Sequence, residues 1–312
     1  MAEKHLYQKQ GIKLNYYEIK SELQPLVLIH AQGVDAASFK NVWKRLSMNY
    51  HVYSVDCYGH GESLHDAKQY NIEDIGRAII CFMEDIVRKK AYLLGHSSGG
   101  LIAAYIASHT ELCRCLILED PPFFSSQGER RKNTFNYVDL STICHNFINQ
   151  SEKKDFVLYY FSNQYAWNLF PEQSREKIKQ KMIMMAEKYR KKHPNENLKV
   201  MFWSKAALSG FQGMNNYDPL FGESFFNDSF HSGIQHENIL KDIRCKTIFM
   251  KARSDVNDDG ILMAALSEND LERITGLIKD FHIIRFDCGH GIHIEKPKEF
   301  TECLAGLADT RI

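Results

Sequence analysis

The run Leu93-Leu94-Gly95-His96-Ser97-Ser98-Gly99-Gly100 carries an apolar segment straight into a G-x-S-x-G turn. The apolar stretch opens at Ala91 and reads as a buried strand; Leu101, Ala103, Ala104 and Ala107 continue as a small-residue helix. A serine on such a strand-to-helix turn projects its Oγ above the sheet, beside a helix N-terminus that favours developing negative charge. Gly95 and Gly99 remove the side chains that would clash with the adjacent strand and helix. The bare pentapeptide occurs by chance. Its setting, strand before and helix after, makes Ser97 a candidate nucleophile rather than a packing turn.

Outward from that turn, the first 120 residues alternate between strand and helix patterns. Tyr7 to Tyr17 predicts a hairpin around Gln10-Gly11, and Leu26 to Ile29 a buried strand. A helix over Ala36–Met48, a strand over His51–Val55, a helix over Ile72–Val87 and a strand over Cys115–Leu118 complete the rhythm. Short strands between helices of this length predict an α/β class, with a mostly parallel, doubly wound sheet. The pattern breaks at Pro121-Pro122. From there to His236 the segments read as helices rich in aromatics, among them Tyr159, Tyr160, Trp167, Phe202, Trp203, Phe225 and Phe226. Strands over Thr247–Lys251 and His282–Phe286 resume the alternation, with helices over about Asp259–Ile278 and Pro297–Leu307. The expected division is a core of residues 1–120 and 237–312, interrupted by a mostly helical insertion, 121–236.

Composition excludes several classes. Lys plus Arg equals Asp plus Glu at 39 each, so no basic excess recruits nucleic acid. No run reaches the roughly 18 apolar residues of a membrane span, and Met1 to Lys20 lacks the apolar core of a signal peptide. The eight cysteines show neither C-x-x-C pairs nor zinc spacing. A cytoplasmic protein with reduced thiols and no cofactor is expected.

A serine nucleophile needs a base, an orienting carboxylate and an oxyanion hole. His290, in Phe286-Asp287-Cys288-Gly289-His290, follows the last expected strand and is the candidate base. His293 reads as a packing histidine, and a His290/His293 metal site finds no further ligand nearby. Asp255, past strand Thr247–Lys251, is the favoured acid because Ser97, Asp255, His290 follows the chain order of this architecture. Asp120, Asp258 and Asp259 are its rivals. Backbone N–H groups of Ser98 and Gln32, the latter in His30-Ala31-Gln32-Gly33, are the candidate oxyanion donors.

Together these residues resemble the α/β-hydrolase superfamily over about 5–120 and 240–310. Asp56-Cys57-Tyr58-Gly59-His60-Gly61-Glu62-Ser63 is similar to the family's structural D-x-x-G-x-G-x-S loop, and Gly289-His290 with Glu295-Lys296-Pro297 to its histidine loop. The insertion occupies the place of the family's cap. Two positions depart: Ala31 stands where Gly is usual in the oxyanion loop, and Ala252 where Gly usually precedes the acid. The resemblance implies a serine hydrolase cleaving an ester, thioester, lactone or related carbonyl compound. Ser97, where epoxide hydrolases and haloalkane dehalogenases carry Asp, argues against both of those. A binding or signalling module on the same fold, or lyase or cofactor-free oxygenation chemistry, is the alternative. Aromatic density in the insertion points to an apolar small-molecule substrate, with Phe123, Phe124, Trp167, Phe225 and Phe226 as candidate contacts. Lys177–His193 reads as an amphipathic helix with a solvated basic face.

Overall fold

A computed structural model describes residues 2–200, 208 and 210–309. Phe202 and Trp203 lie outside the described residues. Gln10 and Gly11 take positive φ angles of 48° and 89°. This is the left-handed geometry of a two-residue hairpin turn, and it joins β1 (Glu3–Lys9) to β2 (Ile12–Ile19). Six further strands follow: β3 (Pro25–Ile29), β4 (His51–Val55), β5 (Ala91–His96), β6 (Cys113–Glu119), β7 (Lys246–Lys251) and β8 (Phe281–Arg285). The sheet order is β1-β2-β4-β3-β5-β6-β7-β8. Only the β1–β2 and β2–β4 pairs are antiparallel; β3 to β8 run parallel.

Helices cover both faces, as strands buried on two sides require. The α-helices among the described residues are α1 (Lys40–Leu46), α2 (Ile72–Phe82), α3 (Ser98–His109), α4 (Thr142–Ile148), α5 (Phe156–Asn163), α6 (Glu172–Lys192), α7 (Pro219–Phe226), α8 (His236–Asp242), α9 (Glu268–Thr275), α10 (Ile292–Glu295) and α11 (Pro297–Asp309). The two-residue period of a strand sorts the core. Leu26 and Leu28 of β3 pack with Val42 and Leu46 of α1 and with Phe300 and Leu304 of α11. Val27 and Ile29 face the opposite layer, with Ile75 and Ile79 of α2 and Leu101 of α3.

The segment between β6 and β7 forms no sheet strand among its described residues; α4 to α8 lie within it. Helix α6 buries only Met182 and Ala186, so the basic stretch is largely a solvated face, as its charge pattern predicts. The helix expected from Asp259 begins only at Glu268. Asn257 Oδ1 accepts the N–H groups of Asp259 and Ile261, and Gly260 sits at φ 76°. This Asx turn diverts the chain until the Ser267–Asp270 capping box starts α9. Among the described residues, no helix is long and apolar enough to cross a membrane.

Candidate active site

Ser97 sits between β5 and α3 with φ 55° and ψ −121°, a conformation that costs a non-glycine residue energy. Close packing explains why the turn needs glycine on both sides. A Cβ on Gly95 would come within 2.2 Å of Gly99 O, and one on Gly99 within 2.4 Å of Ile29 O. The Ser97 N–H donates to Glu119 O at 2.9 Å, tying the elbow to the end of β6. Ser98, first residue of α3, has an N–H that precedes the first intrahelical bond.

The loop after β3 is held from below. His30 is buried and its Nε2 accepts the Cys57 N–H at 2.9 Å; His60 Nε2 accepts the Gly33 N–H at 3.1 Å. Ala31 is not among the residues of positive φ, and Gly33, at φ 80°, makes the left-handed turn instead. Alanine therefore fits where glycine was expected. Gln32 and Ser98 both line the cavity above Ser97. The Asp56–Ser63 loop is structural. Asp56 accepts from Ala36 N–H at 2.8 Å and Asn15 Nδ2 at 2.7 Å, and Ser63 Oγ donates to Asp56 O at 2.7 Å.

The structure brings His290 to Ser97's cavity but does not bring Asp255 to His290. His290 Nδ1 lies 2.8 Å from Asp120 Oδ2. Asp120 is buried at the end of β6, whereas Asp255 is exposed in the loop after β7. The carboxylate that meets His290 is therefore Asp120 and not Asp255, the acid expected from the sequence. The reason is backbone geometry: Asp120 has φ 46°, its N–H donates to Met250 O at 2.9 Å, and its side chain turns across the sheet end to the histidine loop. Asp258 and Asp259 are exposed in the turn described above. Ala252, the other departure, is buried and gives its N–H to Asp120 Oδ1 at 3.3 Å. With Nδ1–H donated to a carboxylate, a neutral His290 imidazole carries its lone pair on Nε2, and His290 lines the cavity with Ser97.

A second histidine–carboxylate pair underlies the first. Glu119 accepts from the His293 N–H at 2.9 Å and from His293 Nδ1 at 2.8 and 3.0 Å, both side chains being wholly buried. Burial alone would raise the Glu119 carboxyl, yet the charge and hydrogen bonds of His293 outweigh it and pull it down to about 2. His96 Nε2 donates to His290 O at 3.1 Å, and burial pushes its own pKa down to about 3. His96, Glu119 and His293 are the group among the described residues whose donor atoms approach closely enough to suit a metal ion. The Glu119 carboxylate is already engaged three times by His293, so an ion would have to break that pair. Reading His293 as a packing histidine agrees with this burial. Its partner Glu119 escaped sequence reading, although Glu119-Asp120 and His290-x-x-His293 are matched pairs.

The cavity has a volume of about 460 Å³, enough for a medium-sized molecule. Its floor includes Ser97, Ser98 and His290; Phe135, Leu140, Met214 and Phe225 supply apolar walls, with Asp139 and Tyr160 as polar groups. Of the five expected aromatic contacts only Phe225 lines it. Phe123 is buried edge-on against His236, Phe124 lies under the Arg273 guanidinium at 3.9 Å, and Phe226 stacks on His145 and Tyr137. Trp167 packs edge-on against Phe161, and its Nε1 donates to Phe161 O at 2.7 Å. These four serve the internal packing of the β6–β7 segment and its seat on the sheet.

Comparison with known proteins bears on this arrangement. The chain is 29% identical over 120 residues to a pimeloyl-[acyl-carrier protein] methyl ester esterase of Vibrio cholerae serotype O1, covering 37% of this chain and 44% of that protein. It is 33% identical over 108 residues to the (E)-2-((N-methylformamido)methylene)succinate hydrolase of Acinetobacter baylyi, covering 34% and 40%. The chain thus spans under half the length of the curated relatives it matches. Whole-length likeness appears in solved folds. A hydrolase from Pseudomonas aeruginosa PA01 superposes with TM-score 0.67 at 15% identity over 98% of both chains. The enol-lactonase from Burkholderia xenovorans LB400 gives 0.66 at 14%, over 97% of this chain and 98% of that one. The model of the alpha/beta hydrolase family matches residues 26–302. With that match over most of its length, and the sheet order and serine elbow described above, the chain belongs to the alpha/beta hydrolase family.

Proposed function

We propose that the protein is a serine hydrolase that cleaves an ester or closely related acyl bond of a neutral, medium-sized molecule. The observation that carries the reading is the strained Ser97 elbow sharing one cavity with a His290 whose Nδ1 is held by buried Asp120. Ser97 Oγ attacks the substrate carbonyl carbon while His290 Nε2 takes its proton. The tetrahedral oxyanion is received by the backbone N–H groups of Gln32 and Ser98. Collapse expels the alkoxide, which takes the proton from His290 and leaves as an alcohol. Water then attacks the acyl-Ser97 by the same route, giving the carboxylic acid and free serine. Asp120 fixes the imidazole orientation and stabilises the imidazolium that forms twice in the cycle.

The helical segment 121–236 acts as a cap over this site, since Pro122, Asp139, Tyr160 and Phe225 line the cavity with the core residues. No Lys or Arg is among the described residues lining it, and Asp139 adds a carboxylate. That balance favours neutral acyl groups over anionic ones. The esterase and hydrolase relatives support acyl-bond hydrolysis as the reaction class.

A panel of p-nitrophenyl esters of graded acyl length tests the reading. Turnover is expected on neutral short and medium acyl chains, falling at least ~10³-fold in Ser97→Ala. Equal turnover by Ser97→Ala and the unmodified protein would contradict it.

A further inference from the structure

The proposed reaction leaves one buried charge beside the site unexplained. Lys251 ends β7, and its side chain is wholly buried. Its Nζ donates to Ala252 O and to Ser254 Oγ, both at 2.6 Å, and lies 3.6 Å from Asp120 Oδ1. The three N–H groups of the ammonium thus have three oxygens to meet. Ser254 is fixed in turn, because its Oγ donates to Leu266 O at 2.7 Å. The Asp120 carboxylate is therefore shared: Oδ2 meets His290, while Oδ1 meets Lys251 and the Ala252 N–H. Burying an ammonium is costly, and an apolar residue of like volume commonly serves a core as well or better. The three residues of β7 before it, Ile248, Phe249 and Met250, are apolar and buried. A lysine at this one position calls for a role that its charge performs.

We infer that Lys251 is a positioning residue for the reaction, its ammonium holding the far oxygen of Asp120 so that the near one stays aimed at His290, and offsetting part of that carboxylate's field at the imidazole. The inference rests on the serine-hydrolase reading above. A buried carboxylate with no other partner would stabilise the imidazolium strongly and keep the base protonated further up the pH scale. A cation on the far oxygen offsets part of that field. Other charged and titratable groups near the three have partners of their own or are held uncharged, as the Cys288 thiol is by burial. His96 on β5 is kept uncharged by burial, and Glu119 on β6 is engaged by His293 of α10. Glu268 on α9, which feels the Lys251 charge, is paired with Arg285. Arg253 pairs with Asp287 at the exposed rim, and Glu295 accepts the Gly289 N–H.

The test is the rate of Ser97 phosphonylation by a fluorophosphonate, followed against pH in the full chain, in Lys251→Met and in Lys251→Gln. Only neutral His290 activates the serine, so the rate falls on the acid side. Removing the cation makes the imidazole easier to protonate, and the acid limb is expected to move about one pH unit higher in both variants. Lys251→Gln keeps an amide donor for Ser254 and Asp120, so it separates charge from packing should Lys251→Met fail to fold. A folded variant with a lowered rate but an unmoved limb would overturn the inference. An unfolded Lys251→Gln would also overturn it, assigning the ammonium to fold stability alone. An unmodified protein that forms no adduct at Ser97 would instead sink the hydrolase reading itself.

Discussion

Asp120→Asn is expected to lower turnover by about 10⁴-fold, while Asp255→Asn changes it less than about twofold. The asymmetry follows from what each carboxylate touches. Asp120 holds His290 Nδ1 at 2.8 Å from a buried position, and Asp255 is exposed. An asparagine at 120 removes the charge that stabilises the imidazolium. If its amide N–H turns toward Nδ1, it also forces the proton onto Nε2, and that tautomer cannot take the serine proton. Steady-state rates on the best p-nitrophenyl ester, with urea unfolding of each variant alongside, measure the effect. A crippled Asp255→Asn beside a mild Asp120→Asn would return the acid to the loop after β7.

Glu119→Ala should cost about 3–5 kcal/mol of stability, the range found when one member of a buried pair is removed. The His293 N–H and Nδ1 would both lose their acceptor in a site with no exposure. Glu119→Gln, which keeps an oxygen acceptor, should cost less. Activity should fall as well, because His293 and His290 belong to one short stretch. The pair also sets an acid limit. The Glu119 carboxyl is depressed from an ordinary 4.5 to about 2. Its contribution is therefore full above pH 4.5 and is lost as pH falls from there toward 2. Urea unfolding at pH 7 and at pH 4 should show a smaller gap between the two proteins at the lower pH. A gap that widens on acidification would contradict the assignment of charge to Glu119.

Much of this architecture is legible in the sequence because it depends on local pattern. The Gln10-Gly11 turn, the apolar strands and the glycines about Ser97 each announce a geometry that few other residues tolerate. The acid was less legible. The chain order Ser, Asp, His is met by Asp120 as well as by Asp255, so it does not choose between the end of β6 and the loop after β7. The deciding feature, a left-handed Asp120 that turns its side chain across the sheet end, is a backbone dihedral. A signal was nevertheless present. Two consecutive acids close β6 just before Pro121-Pro122, and two histidines three apart close the chain's last α/β unit. Glu119 takes His293 and Asp120 takes His290. Lys251 is the third hint, since a lysine ending a buried strand requires a counter-charge. The aromatics of the helical segment were least legible. Trp167 and Phe225 are both large aromatics, and only tertiary packing decides that one faces Phe161 and the other the cavity.

Ser97 is proposed above as a nucleophile activated by His290 and Asp120. Peptide mass spectrometry after fluorophosphonate treatment tests it most directly. One adduct per chain is predicted, on Ser97, forming at least ~10³-fold more slowly in Asp120→Asn and at an unchanged rate in Asp255→Asn. No adduct on Ser97 in the folded protein, or equal labelling of Asp120→Asn and the unmodified chain, would contradict it.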